Sequence, residues 1–139
     1  MRVLVISDIH ANYTALQAVL KDAGQVDETW CLGDLVGYGP DPNAVVEEVR
    51  EIPNLTCMLG NHDVAVIGKM PFETFNGDAR RSLTHHEKVM TADNMDYLNS
   101  LSSNAKVCGD ATLAHGSPRD PLWEYILNSL TARLNFDYF

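Results

Sequence analysis

The stretch NLTCMLGNHD, residues 54 to 63, decides how this chain reads. A short apolar run meets a glycine, and an asparagine, a histidine and an aspartate follow at once. Gly, Asn and Asp together mark a turn, but a strand that runs out into Asn61-His62-Asp63 also presents three reactive side chains at a sheet edge. Two earlier stretches share the layout. RVLVISDIH, residues 2 to 10, is a β-branched run of the kind buried on both faces, and it closes on Asp8 and His10. ETWCLGD, residues 28 to 34, closes on Gly33-Asp34.

Helical patterns separate these runs. In NYTALQAVLKDAG, residues 12 to 24, Leu16, Val19 and Leu20 fall at helical spacing. Asn12 is placed to cap its start and Gly24 its end. DPNAVVEEVREI, residues 41 to 52, has Asp41 as N-cap and Pro42 at the first helical position, with Val45, Val46 and Val49 on one face. Strand, helix, strand, helix, strand predicts a parallel sheet of the α/β class. From residue 64 to 103 the chain is more polar, and Met95, Leu98 and Leu101 predict one or two helices laid over the sheet. AKVCGDATLAHGSP, residues 105 to 118, reads as two short strands turning at Gly109-Asp110. Residues 121 to 136 read as mostly helical. No repeat, low-complexity tract or linker divides the chain, so residues 1–139 are expected to form one domain.

The composition narrows the function. With 45% apolar and 21% charged residues the chain has the make-up of a globular domain. Its net charge of -9 argues against a surface that grips long nucleic acid through phosphates. A small phosphate ester is not excluded, because a local site can be positive within an acidic protein. Cys31, Cys57 and Cys108 form no CxxC pair and are expected to be small buried core residues. No apolar run approaches the ~20 residues of a membrane helix, and the N-terminus lacks the long apolar core of a signal peptide. The cytoplasm is the expected location.

In an open α/β sheet, ligands gather beyond the C-terminal ends of the strands. The residues there are Asp8 and His10, Asp34, Asn61-His62-Asp63, and His115 after the later hairpin. Asp8 and His10 alternate by two, which would turn both to one side of an extended strand. Oxygen and imidazole donors without thiolate suit manganese, iron, zinc or nickel in a reactive site better than a structural zinc. An aspartate shared between two cations about 3.5–4 Å apart is the arrangement that clamps both oxygens of a phosphoryl displacement. Each piece alone is weak: DxH is common, Asp34 can be a turn residue, and His115 can be a core histidine. Their joint placement at four strand ends is what predicts a dinuclear site.

The set DIH, GDLVGYGP, GNHD and HGSP, running from Asp8 to Pro118, resembles the calcineurin-like metallophosphoesterase superfamily, in particular its small bacterial and archaeal phosphodiesterase branch. The resemblance implies an α/β/β/α fold, a β-sandwich flanked by helices. It implies that Asp8 and His10 bind one divalent metal, that Asp34 bridges two, and that Asn61 and His115 bind the other, with manganese the first choice. It implies a hydroxide bridging the metals as nucleophile and His62 as the catalytic histidine that serves the departing alkoxide. Asp63 has two readings: it orients His62, or it caps a helix. The family's later Gly-His-x-His segment does not occur before Phe139, which makes this chain an expected N-terminal part. Its uncovered sheet is expected to self-associate or to meet a further C-terminal segment, and a weakly active or scaffold fragment is the rival reading. Ala11, where many relatives have glycine, asks for a less unusual backbone angle there.

Six other residues have a bland reading beside any functional one. His85 and His86 in a charged stretch, like Arg80 and Arg81, read as solvated. Tyr38 either lines the pocket or packs its loop. Arg119 either reaches a phosphate oxygen or sits on the surface.

Overall fold

Three short apolar runs pair side by side in a computed structural model that describes residues 1–138. Strands β1 (Val3–Ile6), β2 (Glu28–Cys31) and β3 (Leu55–Cys57) form a parallel sheet in that order. Val3 lies opposite Glu28 and Ile6 opposite Cys31, and Cys31 lies opposite Cys57. Helices α1 (Tyr13–Ala23) and α2 (Pro42–Arg50) make the two crossovers and pack against each other. Successive right-handed crossovers in a 1-2-3 order put both helices on one face of the sheet. That face is the core: Ile6 and Cys31 meet Leu16 of α1 and the fully buried Val45, Val46 and Val49 of α2.

Caps follow the sequence in part. The Asn12 side chain accepts the Ala15 N–H at 3.0 Å, and the Gly24 N–H returns to the Leu20 carbonyl. Pro42 starts α2 as expected, but the Asp41 side chain caps nothing there.

The opposite face of the sheet corrects the reading of residues 2–8 as buried on both sides. Val5 is 53% exposed, and its neighbour Trp30 is only partly covered. Among the described residues the second sheet consists of one antiparallel hairpin, β4 (Lys106–Cys108) with β5 (Ala111–Leu113), turning where Gly109-Asp110 predicted.

Between β3 and this hairpin lie α3 (Asn61–Val66), α4 (Gly77–Val89) and α5 (Ala92–Ser100). α4 packs on α3, α5 reaches α2, and Leu98 is fully buried with Met95 and Leu101 against the core. The final helix α6 is Ser129–Tyr138, shorter than the pattern over 121–136 suggested. The Asp120 carboxylate accepts the N–H groups of Leu122 and Trp123, a local turn that competes with helix. Asn128 then caps α6 through the Thr131 N–H. Of the cysteines only Cys31 is buried; Cys57 and Cys108 are partly covered because their strands lie at sheet edges, and all three are free. No helix among the described residues is long and apolar enough to cross a membrane.

Candidate metal centre

The loops after β1 and β2 continue to zip together beyond the strands. The N–H groups of Asp8, His10 and Ala11 donate to the carbonyls of Gly33, Asp34 and Leu35 at 3.0, 2.9 and 2.7 Å. This pairing forces unusual backbone angles. Asp8, His10, Ala11, Asp34 and Tyr38 all have φ between 50° and 58°. Each such non-glycine residue costs about 1–2 kcal/mol. Asp8 and His10 therefore meet through left-handed turns, not through strand alternation. Ala11 is also left-handed, so the milder angle expected from its side chain is not found; its N–H bond to Leu35 holds it there.

Asp34 is the hub. Its Oδ1 accepts the His62 N–H at 2.9 Å, while Oδ2 lies 3.7 Å from His10 Nε2 and 3.5 Å from His115 Nε2. His10 Nε2 is also 3.6 Å from Asp8 Oδ1, and His115 Nε2 is 3.3 Å from Asn61 Oδ1. All five expected ligand positions thus converge. The carboxylate and imidazole atoms fall into two groups that share Asp34: one with His10 and His62, the other with Asp8 and His115. Asp34 is common to both groups, and His62 lies close enough to His10 to share the first.

Backbone carbonyls orient both histidines. His10 Nδ1 is 2.9 Å from the Val36 carbonyl, and His115 Nδ1 is 2.9 Å from the Leu32 carbonyl. A carbonyl only accepts, so each Nδ1 carries a hydrogen, and in a neutral ring Nε2 is left as a lone pair. Those lone pairs face carboxylate oxygens. Only a proton or a cation between them relieves acceptor set against acceptor. Two ligands of one first-row cation lie about 3–3.5 Å apart at bond lengths near 2.1 Å, close to the separations seen. His62 Nδ1 is buried beside Gly37 with no hydrogen-bond partner. The donor set fits divalent cations.

Electrostatics agree. Burial, and then the neighbouring Asp63 charge, push the Asp34 carboxyl up to about 9. Burial pulls the His62 imidazole down to about 4, helped by the adjacent His10 and His115. Burial lowers His115 as well. A cation would reverse the penalty on Asp34 by favouring its charged form.

Two glycines make room. A side chain at Gly60 would strike the Asp34 carboxylate, and one at Gly37 (φ 92°) would strike the His62 ring. Asp63, expected to orient His62 or cap a helix, has its carboxylate bonded to the backbone N–H groups of Leu35, Val36 and Gly60 at 2.9, 3.1 and 3.0 Å. It caps α3 and pins the loop after β2; no hydrogen bond joins it to the His62 ring among the described residues.

His86 corrects the sequence reading most sharply. It is buried, not solvated: Nδ1 accepts the Gly37 N–H at 3.1 Å and Nε2 donates to the Gly39 carbonyl at 2.9 Å. The signal was present, since Ala79, Leu83 and His86 share one helical face and all are buried. His85, Arg80 and Arg81 are exposed as expected. Arg119 turns to Glu124, with 3.5 Å between Nη1 and Oε1. Tyr38 stands against the rings of His10 and His62, with centroids 4.9 and 5.0 Å away.

A parallel sheet that gathers carboxylates, imidazoles and an amide at its strand ends is a metal-handling α/β architecture. The chain belongs to the calcineurin-like phosphoesterase family, whose model matches residues 1–137. It is 51% identical to a metallophosphoesterase from Sphaerobacter thermophilus of known crystal structure, with a TM-score of 0.86 over 100% of this chain and 56% of that one. It is 38% identical to an uncharacterized protein of Methanocaldococcus jannaschii over 89% of this chain and 53% of the relative. A symmetrical bis(5'-nucleosyl)-tetraphosphatase of Legionella pneumophila is 31% identical over 96% of this chain and 52% of its own length. The chain spans about half the length of these relatives. Its fold is that of the metallophosphoesterases.

Proposed function

We propose that this chain carries the dinuclear metal centre of a phosphoesterase acting on small phosphate esters. The observation that carries this reading is the convergence of His10 and His115 Nε2 on the buried Asp34 carboxylate, each ring turning its Nδ1 to a backbone carbonyl so that Nε2 is the atom free to bind a cation. Asp8, His10, Asp34, Asn61 and His115 would hold the ions, manganese first among them. When bound, two such cations supply Lewis-acid charge to the phosphoryl oxygens and a deprotonated water as nucleophile. Asp34 lies between the two ligand groups and carries the shared negative charge.

His62 serves the leaving oxygen. Its Nδ1 is buried against Gly37, so Nε2 is the ring atom left to face an ester. With its pKa near 4 the ring is neutral at pH 7 and donates a hydrogen bond; a bound phosphate's charge raises its proton affinity as negative charge builds on the departing alkoxide. Asp63 fixes the backbone around Gly60 and Val36, and its charge adds to the burial that raises the Asp34 carboxyl.

The relatives' names support phosphoric esters and anhydrides of nucleosides as a substrate class, and the net charge of -9 disfavours long nucleic acid. Three free cysteines fit a reducing compartment, and we place the protein in the cytoplasm. Calorimetric titration with Mn²⁺ tests the proposal: two equivalents should bind, and Asp34→Asn should weaken both. Binding of one ion, unaffected by Asp34, would refute it.

A further inference from the structure

Tyr38 is held with more care than a loop tyrosine needs. Its φ of 58° is left-handed, a conformation that bulky side chains avoid. Helix α4 grips the backbone on all sides of it. The Ser82 hydroxyl accepts the Tyr38 N–H at 2.8 Å, and His86 takes the N–H of Gly37 before it and the carbonyl of Gly39 after it. Asn76 donates to the phenol oxygen at 3.0 Å. The three backbone bonds close the loop without help from the ring. A ring whose purpose was packing would be buried, yet Tyr38 is 47% exposed. Strain that the surroundings over-determine marks a functional position.

The ring's position says which function. It meets His10 edge-on at 4.9 Å and His62 at 5.0 Å and a 43° tilt. The other aromatic ring against His62 is Phe75, with centroids 4.8 Å apart, and it is only 8% exposed. Tyr38 is thus the accessible aromatic wall directly beside the histidine proposed to face the ester oxygen. We propose that Tyr38 is a specificity-determining residue whose exposed ring stacks on a planar aromatic substituent of the ester, a nucleobase or an aryl group. The inference rests on the phosphoesterase reading above and adds the class of group that the phosphate carries. Base-on-aromatic stacking tolerates any base, since each has a π-face. Selection would therefore be for planarity over identity.

Binding separates the two readings. With Mn²⁺ present, calorimetry compares adenosine 5'-monophosphate with ribose 5-phosphate, which shares the phosphate and sugar but lacks the base. The parent should bind the nucleotide about tenfold or more tightly, the range expected of one stacked base. Tyr38→Phe, which keeps the ring and loses only the Asn76 bond, should retain the preference. Tyr38→Leu should weaken the nucleotide far more than ribose 5-phosphate and so close the gap between them, with an unaltered circular dichroism spectrum and melting curve shape showing that the fold persists. Equal affinities in the parent, or a preference kept by Tyr38→Leu, overturn the inference while leaving the metal site standing. Failure of both phosphates to bind overturns the phosphoesterase reading and this inference with it.

Discussion

Replacing Asp63 should cost stability in an order set by its three backbone partners. In the folded chain the carboxylate is fully buried and accepts the N–H groups of Leu35, Val36 and Gly60. Asp63→Ala leaves three buried donors without an acceptor, at about 1–3 kcal/mol each when counted singly. Such losses overlap because the three groups share one carboxylate, so the whole change should fall near 3–5 kcal/mol, the cost of breaking a buried charged contact from one side. Asp63→Asn keeps an oxygen for Leu35 and Val36 but turns an amide N–H₂ toward the Gly60 N–H. It should cost about 1–3 kcal/mol, the penalty for one unsatisfied donor. Urea unfolding in the presence of a chelator measures both, with an unchanged m-value showing that the same structure is lost. The His62 ring, which Asp63 does not touch, should titrate at the same pH in the Asn variant as in the parent. An Ala variant less than about 1 kcal/mol weaker, or a His62 titration displaced by Asp63→Asn, would refute this account of Asp63.

Other perturbations probe the centre itself. In the metal-free protein the Asp34 carboxyl is raised from 3.8 to about 9, so the unfolded chain gives up its proton first and stability falls as pH rises across that window. Asp34→Asn should flatten that fall and abolish the rise in melting temperature that Mn²⁺ gives the parent; a fall unchanged in the variant would contradict the assignment. His62 is lowered from 6.5 to about 4, so between those values the unfolded chain binds more protons and stability drops as pH falls. Its imidazole C–H resonances should move near pH 4 in the metal-free protein, and movement near 6.5 would be the adverse result. His86→Leu strands the Gly37 N–H and the Gly39 carbonyl and should destabilise by about 2–4 kcal/mol. His86→Gln, which offers one acceptor and one donor, should recover at least half of that in chemical denaturation; equal losses in the two variants would show that the bonds to the loop do not matter.

The sheet and its crossovers were legible because each element agrees with itself. Apolar runs of strand length alternate with helical stripes, and Asn12, Gly24 and Pro42 mark helix ends as local chemistry requires. The convergence of Asp8, His10, Asp34 and Asn61 was legible for a related reason: a parallel sheet delivers all its C-terminal ends to one edge, which His115 reaches from the separate hairpin. What the sequence hid depends on tertiary contact. Val5 reads as a residue buried on both faces, and whether a second layer covers it is decided elsewhere in the fold. The left-handed angle of Ala11 follows from its pairing with Leu35, a partner that spacing does not reveal. His86 looked solvated because Glu87 and Lys88 follow it, although Ala79 and Leu83 already traced the buried stripe it completes. Asp63 carried two readings in sequence; its bond to the Gly60 N–H is the cap, and its bonds to Leu35 and Val36 were in neither reading.

The central claim is that this centre hydrolyses phosphate esters with the help of His62. The most direct test is Mn²⁺-dependent hydrolysis of a chromogenic phosphodiester by the parent chain and by His62→Ala, with metal loading checked in both. The account predicts turnover by the parent that requires Mn²⁺ and falls by about 10²–10⁴-fold in the variant, the usual contribution of an acid or hydrogen-bond donor at the leaving group. Equal rates in the two proteins, or two bound Mn²⁺ ions with no turnover by the parent, would contradict it.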